Sequence, residues 1–171
     1  MSHLCSGFEP IVPDYPKILI LGTMPSVVSL EHAFYYAHPR NAFWPIMQRL
    51  LGYSQTSAQV SSQVHTLALQ TAGIFLWDVL QTCERKGSLD SAITQPKAND
   101  FEWVFKTYPS LRVVAFNGKA AENLFKKHVV KHQQVPSQLT YLSLPSTSPA
   151  NAQMLFEDKV LLWQEKLTKL L

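Results

Sequence analysis

The chain has 171 residues, of which 46% are hydrophobic and 16% charged, and carries a net charge of +3. That length suits one domain, residues 1–171, with a two-sided core, and no apolar run approaches the roughly 18 to 20 residues that cross a bilayer. Two cysteines, Cys5 and Cys83, imply no disulfide framework. The opening residues show no secretory signal, so a reducing, cytoplasmic setting is expected. The small basic excess is compatible with a polyanion partner and does not require one.

Taken in chain order, the first element is Lys17-Ile-Leu-Ile-Leu-Gly22, a β-type run. A stripe of Phe43, Ile46, Met47, Leu50 and Leu51 predicts a helix, and Val60, Val64, Leu67 and Ala68 predict a weaker one. Gly73-Ile-Phe-Leu-Trp-Asp78 is a second strand. A short helix over Phe101, Val104, Phe105 and Tyr108 follows, capped by Asn99 or Asp100. Arg112-Val-Val-Ala-Phe-Asn117 and Leu139-Thr-Tyr-Leu-Ser-Leu144 are the third and fourth strands. A helical stripe of Ala121, Leu124, Phe125 and His128 lies between them. Phe156, Val160, Trp163, Leu167 and Leu170 mark a long C-terminal helix. The first and third strands are almost wholly apolar, as strands covered on both faces must be. Alternation of strand and helix predicts a right-handed, three-layer α/β/α sandwich around a mostly parallel four-stranded sheet.

In such a sheet, ligands collect outside the carboxyl ends of the strands. Here those ends read Gly22-Thr-Met-Pro-Ser26, Trp77-Asp78, Asn117-Gly-Lys119 and Pro145-Ser-Thr-Ser-Pro-Ala-Asn151. Gly118 permits close backbone approach, and the helix N-terminus behind it offers free N–H groups to an anion. Ser146, Thr147 and Ser148 supply small donors of the kind that grip phosphate. Taken singly, each loop reads better as a turn or a cap than as a ligand site; their convergence on one sheet edge favours a site. There is no Gly-x-Gly-x-x-Gly, P-loop or Gly-x-Ser-x-Gly pattern. His3, His32, His38, His65, His128 and His132 form no metal-ligand spacing with the cysteines; His128 reads as a core histidine.

Four segments together resemble the uracil-DNA glycosylase superfamily, over roughly residues 15 to 165. Ala37-His-Pro-Arg-Asn-Ala-Phe-Trp44 is similar to a loop of the mismatch-specific uracil and thymine enzymes. Phe116-Asn-Gly-Lys119 resembles the third-strand motif of the thymine enzymes, and Pro145-Ser-Thr-Ser148 the serine loop that pinches the DNA backbone. Leu76-Trp-Asp-Val-Leu80, Cys83-Glu-Arg and Gly87-Ser-Leu-Asp90 resemble the hypoxanthine-DNA (deoxyinosine) branch. One position departs from the pattern. The mismatch-specific relatives place a water-holding asparagine in the first turn, where this chain has Met24, a thioether that binds water weakly.

The resemblance implies hydrolysis of an N-glycosidic bond in DNA after the damaged base is flipped into a pocket. By the same match, Asn41 takes over the water-positioning role, which is orientational, and Tyr36 stacks on the base with Tyr35 or Phe43 behind it. Gly22, Thr23, Met24 and Pro25 would wall the pocket. Trp77 and Asp78 shape it for a purine or, equally, serve as core and strand-end cap. His38 either stabilises the leaving base or, as the preferred reading, holds the backbone beside Pro39. Arg40, Asn117, Lys119, Pro145, Ser146, Thr147 and Ser148 would hold DNA, with Pro149-Ala-Asn151 entering the duplex. The resemblance implies no metal, no organic cofactor and no lysine-based lyase step. It points to a monomer acting on DNA that contains a deaminated base. Hypoxanthine is the preferred base. The alternatives are a uracil or mismatch-specific glycosylase and a catalytically weak nucleic-acid-binding domain, the latter favoured by Met24 and the modest charge.

Overall fold

A computed structural model describes residues 1–54 and 61–171; Val60, the first residue of the weaker expected helix, lies outside them. The strands are β1 (His3–Ser6), β2 (Ile18–Gly22), β3 (Ile74–Asp78), β4 (Leu80–Arg85), β5 (Thr94–Ala98), β6 (Val113–Asn117) and β7 (Thr140–Leu144). The helices are α1 (Val27–His32), α2 (Phe43–Leu51), α3 (Ser62–Ala72), α4 (Phe101–Thr107), α5 (Lys119–Phe125) and α6 (Phe156–Leu167).

The four expected strands pair in parallel, in the order β3-β2-β6-β7. All five residues of β2 are buried, as a central strand sandwiched between helices must be. One face carries α4 and α5, where Phe101 meets Phe125 at 5.2 Å between ring centroids. The other carries α2 and α6, joined by Phe43 against Trp163 at 5.9 Å. The fold is thus the expected α/β/α sandwich.

Register decides what each strand end presents. Leu21 lies beside Trp77 on one side and Phe116 on the other, and Gly22 lies beside Asp78. Trp77 contacts Phe101 and Phe116 contacts Phe125, so that layer points toward α4 and α5. Successive strand residues point to opposite faces. Gly22, Asp78 and Asn117 therefore turn toward α2 and α6.

Three features depart from the sequence expectation. A second, antiparallel sheet of order β1-β4-β5 packs beside the first. The short helix α1 is capped by Ser26, whose hydroxyl accepts the Ser29 N–H. After Phe125 the helix widens into a π-helical turn over Lys126–Val130. That changes the phase, so Val129 is buried and His128 only half-buried; His128 is not the core residue its spacing suggested.

Candidate active site

The carboxyl end of β2 is built for crowding. A Cβ on Gly22 would stand 2.5 Å from Asp78 Oδ1 and 2.6 Å from the Tyr36 hydroxyl. Only glycine leaves room for both side chains above the strand. The Gly22 and Thr23 carbonyls accept the N–H groups of Val79 and Leu80 at 2.9 and 3.1 Å, which stitches the turn to the β3–β4 junction. Thr23 Oγ1 donates to Asp90 Oδ1 at 2.6 Å. The buried guanidinium of Arg85 donates to the Pro25 carbonyl.

The loop between α1 and α2 is held in a conformation its residues resist. Tyr36 has φ +53° and Ala33 φ +51°, the left-handed region that costs a non-glycine residue energy. Anchors on both sides impose it. The Tyr35 hydroxyl donates to the Glu9 carbonyl at 2.8 Å, and the Tyr35 carbonyl accepts the Trp44 indole N–H at 2.8 Å. The Ala37 N–H donates to Ser29 Oγ at 3.2 Å. Tyr36 thereby turns inward and stacks on Phe43 at 4.2 Å. Its hydroxyl is buried with no hydrogen-bond partner. Burial, with the Asp78 carboxyl nearby, pushes the phenol well above its usual range.

Asn41 closes this loop. Its Oδ1 accepts the Phe43 N–H at 2.9 Å, an Asx turn that satisfies the first N–H of α2. A carbonyl oxygen has two lone pairs, so the turn fixes the amide and still leaves an acceptor for water. One residue on, the Ala42 N–H donates to the Thr147 carbonyl at 3.0 Å. The loop is thus tied to the serine loop.

Asp78, at the end of β3, is 4% exposed and lines the cleft. Its backbone carbonyl accepts Asn99 Nδ2–H at 2.9 Å, but its Oδ2 has no partner. Burial first, and then the Asp90 carboxylate, push its pKa up to about 7, against an opposing pull from Arg85.

The opposite wall is formed by β6, β7 and the loop after β7. Asn117 and Thr147 bond reciprocally: Asn117 Nδ2 donates to Thr147 Oγ1 and Asn117 Oδ1 accepts the Thr147 N–H, both at 2.9 Å. Gly118, with φ +95°, lets the loop close in, since a Cβ there would be 3.0 Å from Ser146 Cβ. Ser146 Oγ accepts the Ser148 N–H and Ser148 Oγ the Ala150 N–H, each at 3.2 Å. Asn151 Nδ2 donates to the Ser146 carbonyl at 3.0 Å. Trp163 Nε1 and Lys159 Nζ each donate to a loop carbonyl, of Pro145 and Asn151, at 2.9 Å.

Two lysines reach the cleft rim, and both are engaged. Lys166 Nζ donates to the Ser143 carbonyl at 2.7 Å. Lys119 Nζ lies 2.8 Å and Lys126 Nζ 2.6 Å from the Glu122 carboxylate, which also accepts Ser143 Oγ at 3.0 Å. These cations hold Glu122 down at about 2.

Most of the residues named from sequence therefore line a single cleft of about 720 Å³: Gly22 to Pro25, Tyr36, Asn41, Asp78, Asn117, Lys119 and Pro145 to Ser148. Three do not. Trp77 points to the other face of the sheet, donates from Nε1 to the Phe8 carbonyl at 2.9 Å, and borders a separate cavity beside Trp103. Strand alternation separates it from Asp78. His38 lies outside the cleft; its Nδ1 accepts the Arg40 N–H at 3.1 Å, a backbone-shaping role. Arg40 borders a shallower depression next door, shared with Asn41. Asn117 and Thr147 line the cleft and bond to each other through their side chains, which holds that wall in shape. Asp90 and Arg85 were not singled out as site residues, although both stand in segments that carried the resemblance.

Comparisons with known proteins show the family and the fold. The family model of the uracil DNA glycosylase superfamily matches residues 9–166. The chain belongs to that superfamily. A hypoxanthine DNA glycosylase of Methanosarcina barkeri is 34% identical over 113 residues, covering 66% of this chain and 70% of the relative. One of Methanosarcina acetivorans is 35% identical over 115 residues, covering 67% and 72%. The solution structure of a candidate uracil DNA glycosylase from Methanosarcina acetivorans superposes with a TM-score of 0.76 at 29% identity, over 98% of this chain and 99% of that one.

Proposed function

We propose that this superfamily member is a monofunctional DNA glycosylase that flips a deaminated base out of DNA and hydrolyses its N-glycosidic bond, with hypoxanthine as the principal base. One observation carries the reading. A fixed amide able to hold water, Asn41, shares a single cleft with a stacking phenol, Tyr36, and a loop of small hydroxyl residues, Ser146 to Ser148. The relatives named hypoxanthine DNA glycosylase support the choice of base.

The chemistry follows from what the groups can do. As the bond to the sugar breaks, positive charge develops at C1′ and negative charge on the base. Asn41 Oδ1 accepts a hydrogen bond from water and aims it at C1′, a gain in orientation rather than in basicity. Tyr36, backed by Phe43, offers a flat face to the base. The loop after β7 presents Ser146 and Ser148 to the DNA backbone from a rigid support. Lys119 and Lys166 are bonded elsewhere, which fits hydrolysis by water rather than attack by an amine. Two free cysteines fit a reducing, intracellular setting.

The test is a panel of duplexes carrying deoxyinosine, deoxyuridine or deoxyxanthosine, treated with the protein and then with alkali to cut at abasic sites. Cutting at deoxyinosine is expected to be fastest. Fast cutting at deoxyuridine with none at deoxyinosine would move the assignment to uracil. Binding without cutting at any base would leave a nucleic-acid-binding domain.

A further inference from the structure

Asp78 is unusual among the buried groups of this protein because its carboxyl faces the cleft and is not spent. It is 4% exposed, and Oδ2 has no hydrogen-bond partner. Its charged and titratable neighbours come from several elements. They are Arg85 on β4, Asp90 in the turn before β5, and Tyr35 and Tyr36 in the α1–α2 loop. Arg85 is the cation among them, and its hydrogen bond goes to the Pro25 carbonyl, with Nε and Nη1 unpartnered. Nothing among the described residues therefore bonds Asp78 as an anion. Burial and the Asp90 carboxylate both favour the neutral acid. The position itself argues the same way. A carboxylate there would repel a base that departs with negative charge, and at a buried site that repulsion is weakly screened.

We propose that Asp78 works as a neutral carboxylic acid whose carboxyl donates a hydrogen bond, through the oxygen that faces the cleft beside Gly22, to the exocyclic oxygen of the flipped base. This rests on the glycosylase reading above and deepens it. Deamination replaces an exocyclic amine, a donor, by a carbonyl, an acceptor; adenine presents N6–H2 where hypoxanthine presents O6. A donor fixed by the fold at that edge accepts the deaminated base and leaves the parent base facing donor to donor, an unpaired arrangement that is costly when buried. The same bond strengthens as negative charge spreads onto the base oxygen, so it contributes to release as well as to choice. Asp78 keeps its proton throughout. The C1′–N electron pair leaves with the base, water forms the new C1′–O bond, and the proton that water loses and the one the base gains pass through solvent. The Tyr36 hydroxyl, crowded with Asp78 against Gly22 and equally without a partner, is the neighbour placed to back this donor.

The sign of the pH effect follows. The active form is the acid, so excision is full below the Asp78 pKa of about 7 and falls as pH rises through it. Single-turnover excision of deoxyinosine from a duplex, with enzyme in saturating excess between about pH 5.5 and 8, reads this directly. Wild-type rate is expected to approach a tenfold fall per pH unit on the alkaline side. Asp78→Asn, which keeps a neutral donor, is expected to retain measurable excision and lose that limb. Asp78→Ala is expected to lose about 100-fold at the acid end. Thermal melting gives a second reading: the advantage of Asp78→Asn over wild type should grow from about pH 4 to 7, as the wild-type carboxyl becomes costly to keep buried.

An alkaline limb with the same midpoint in Asp78→Asn, a wild-type rate flat across the range, or full excision by Asp78→Ala at the acid end would each overturn the inference while leaving the glycosylase standing. If deoxyuridine is the base removed, the same comparison on that substrate decides it. Release of no base by wild type would overturn the functional reading, and the inference with it.

Discussion

At the wall formed by β6, β7 and the following loop, Asn117, Thr147, Ser146, Ser148 and Asn151 are all hydrogen-bonded within the protein. At the facing wall formed by β2, β3 and the α1–α2 loop, the Tyr36 hydroxyl and Asp78 Oδ2 are buried with no partner. An unpaired buried polar group costs on the order of 1–3 kcal/mol, so the second wall carries stored cost where the first carries none. The difference teaches a division of labour. One wall spends its polar groups on holding shape and can clamp a charged backbone repeatedly without rearranging. The other keeps polar groups unpaired at the floor of the cleft. Asn41 stands between them, bonded through its own Oδ1 to α2 and through the next residue to Thr147.

The largest expected effect comes from that bridge. Asn41→Ala should lower single-turnover excision by about 100-fold or more, because the attacking water loses its alignment, while DNA affinity changes little. It also leaves the first N–H of α2 without its acceptor, which should cost about 1 kcal/mol. Asn41→Asp, whose carboxylate still accepts the Phe43 N–H, should restore the melting temperature, and as an acceptor for water it should recover part of the excision. Near-normal excision by Asn41→Ala would place the water elsewhere on the cleft and remove the bridge from the comparison.

The next effect tests the spent wall. Asn117→Ala strands the Thr147 N–H and hydroxyl in the interior, where they are 1% exposed, and should cost about 2 to 4 kcal/mol of stability. Affinity for DNA should fall with it as the serine loop loosens, with little change in the salt dependence of what binding remains. Were Asn117 a phosphate contact instead, stability would hold. Chemical denaturation of the variant beside a salt titration of its DNA binding distinguishes the two.

How far this contrast could be read from sequence depends on which kind of information each part needs. The central sheet was legible because β2 and β6 are buried on both faces and so read as nearly unbroken apolar runs. The antiparallel sheet was not. A single residue, Val79, separates β3 from β4, so Gly73 to Leu80 reads as one run, and β5 is Thr94-Gln-Pro-Lys-Ala98, polar and interrupted by proline. Helix α1, six residues long, is too short to show a stripe. Within the site, Trp77 and Asp78 are adjacent in sequence, and only knowing which sheet face bears α2 and α6 sends one into the cleft and the other away from it. The Asn117–Thr147 clamp joins residues thirty apart. It depends on the register of β6 against β7, which no local pattern carries. Asp78 lacks a partner because of everything around it, and that is a property of the fold alone.

The smallest effect concerns the rim of the spent wall. Lys119 is 69% exposed in its side chain and looks available to DNA, yet its Nζ sits 2.8 Å from Glu122. Glu122 is itself buried, and Lys126 shares it at 2.6 Å. A lysine free to meet a phosphate contributes about 0.9 to the slope of log affinity against log salt. Lys119 must give up part of its bond to Glu122 to do so, and the carboxylate remains beside it as a repulsive charge. Lys119→Ala should therefore lower the slope by distinctly less than that amount. Glu122→Gln should do the reverse, freeing Lys119 and Lys126 and raising both slope and affinity. A full unit lost in Lys119→Ala, with no gain in Glu122→Gln, would mean that the lysine lets go of Glu122 entirely on binding. The β6–β7 wall would then hold groups in reserve as the β2–β3 wall does, with a salt bridge as the reserve.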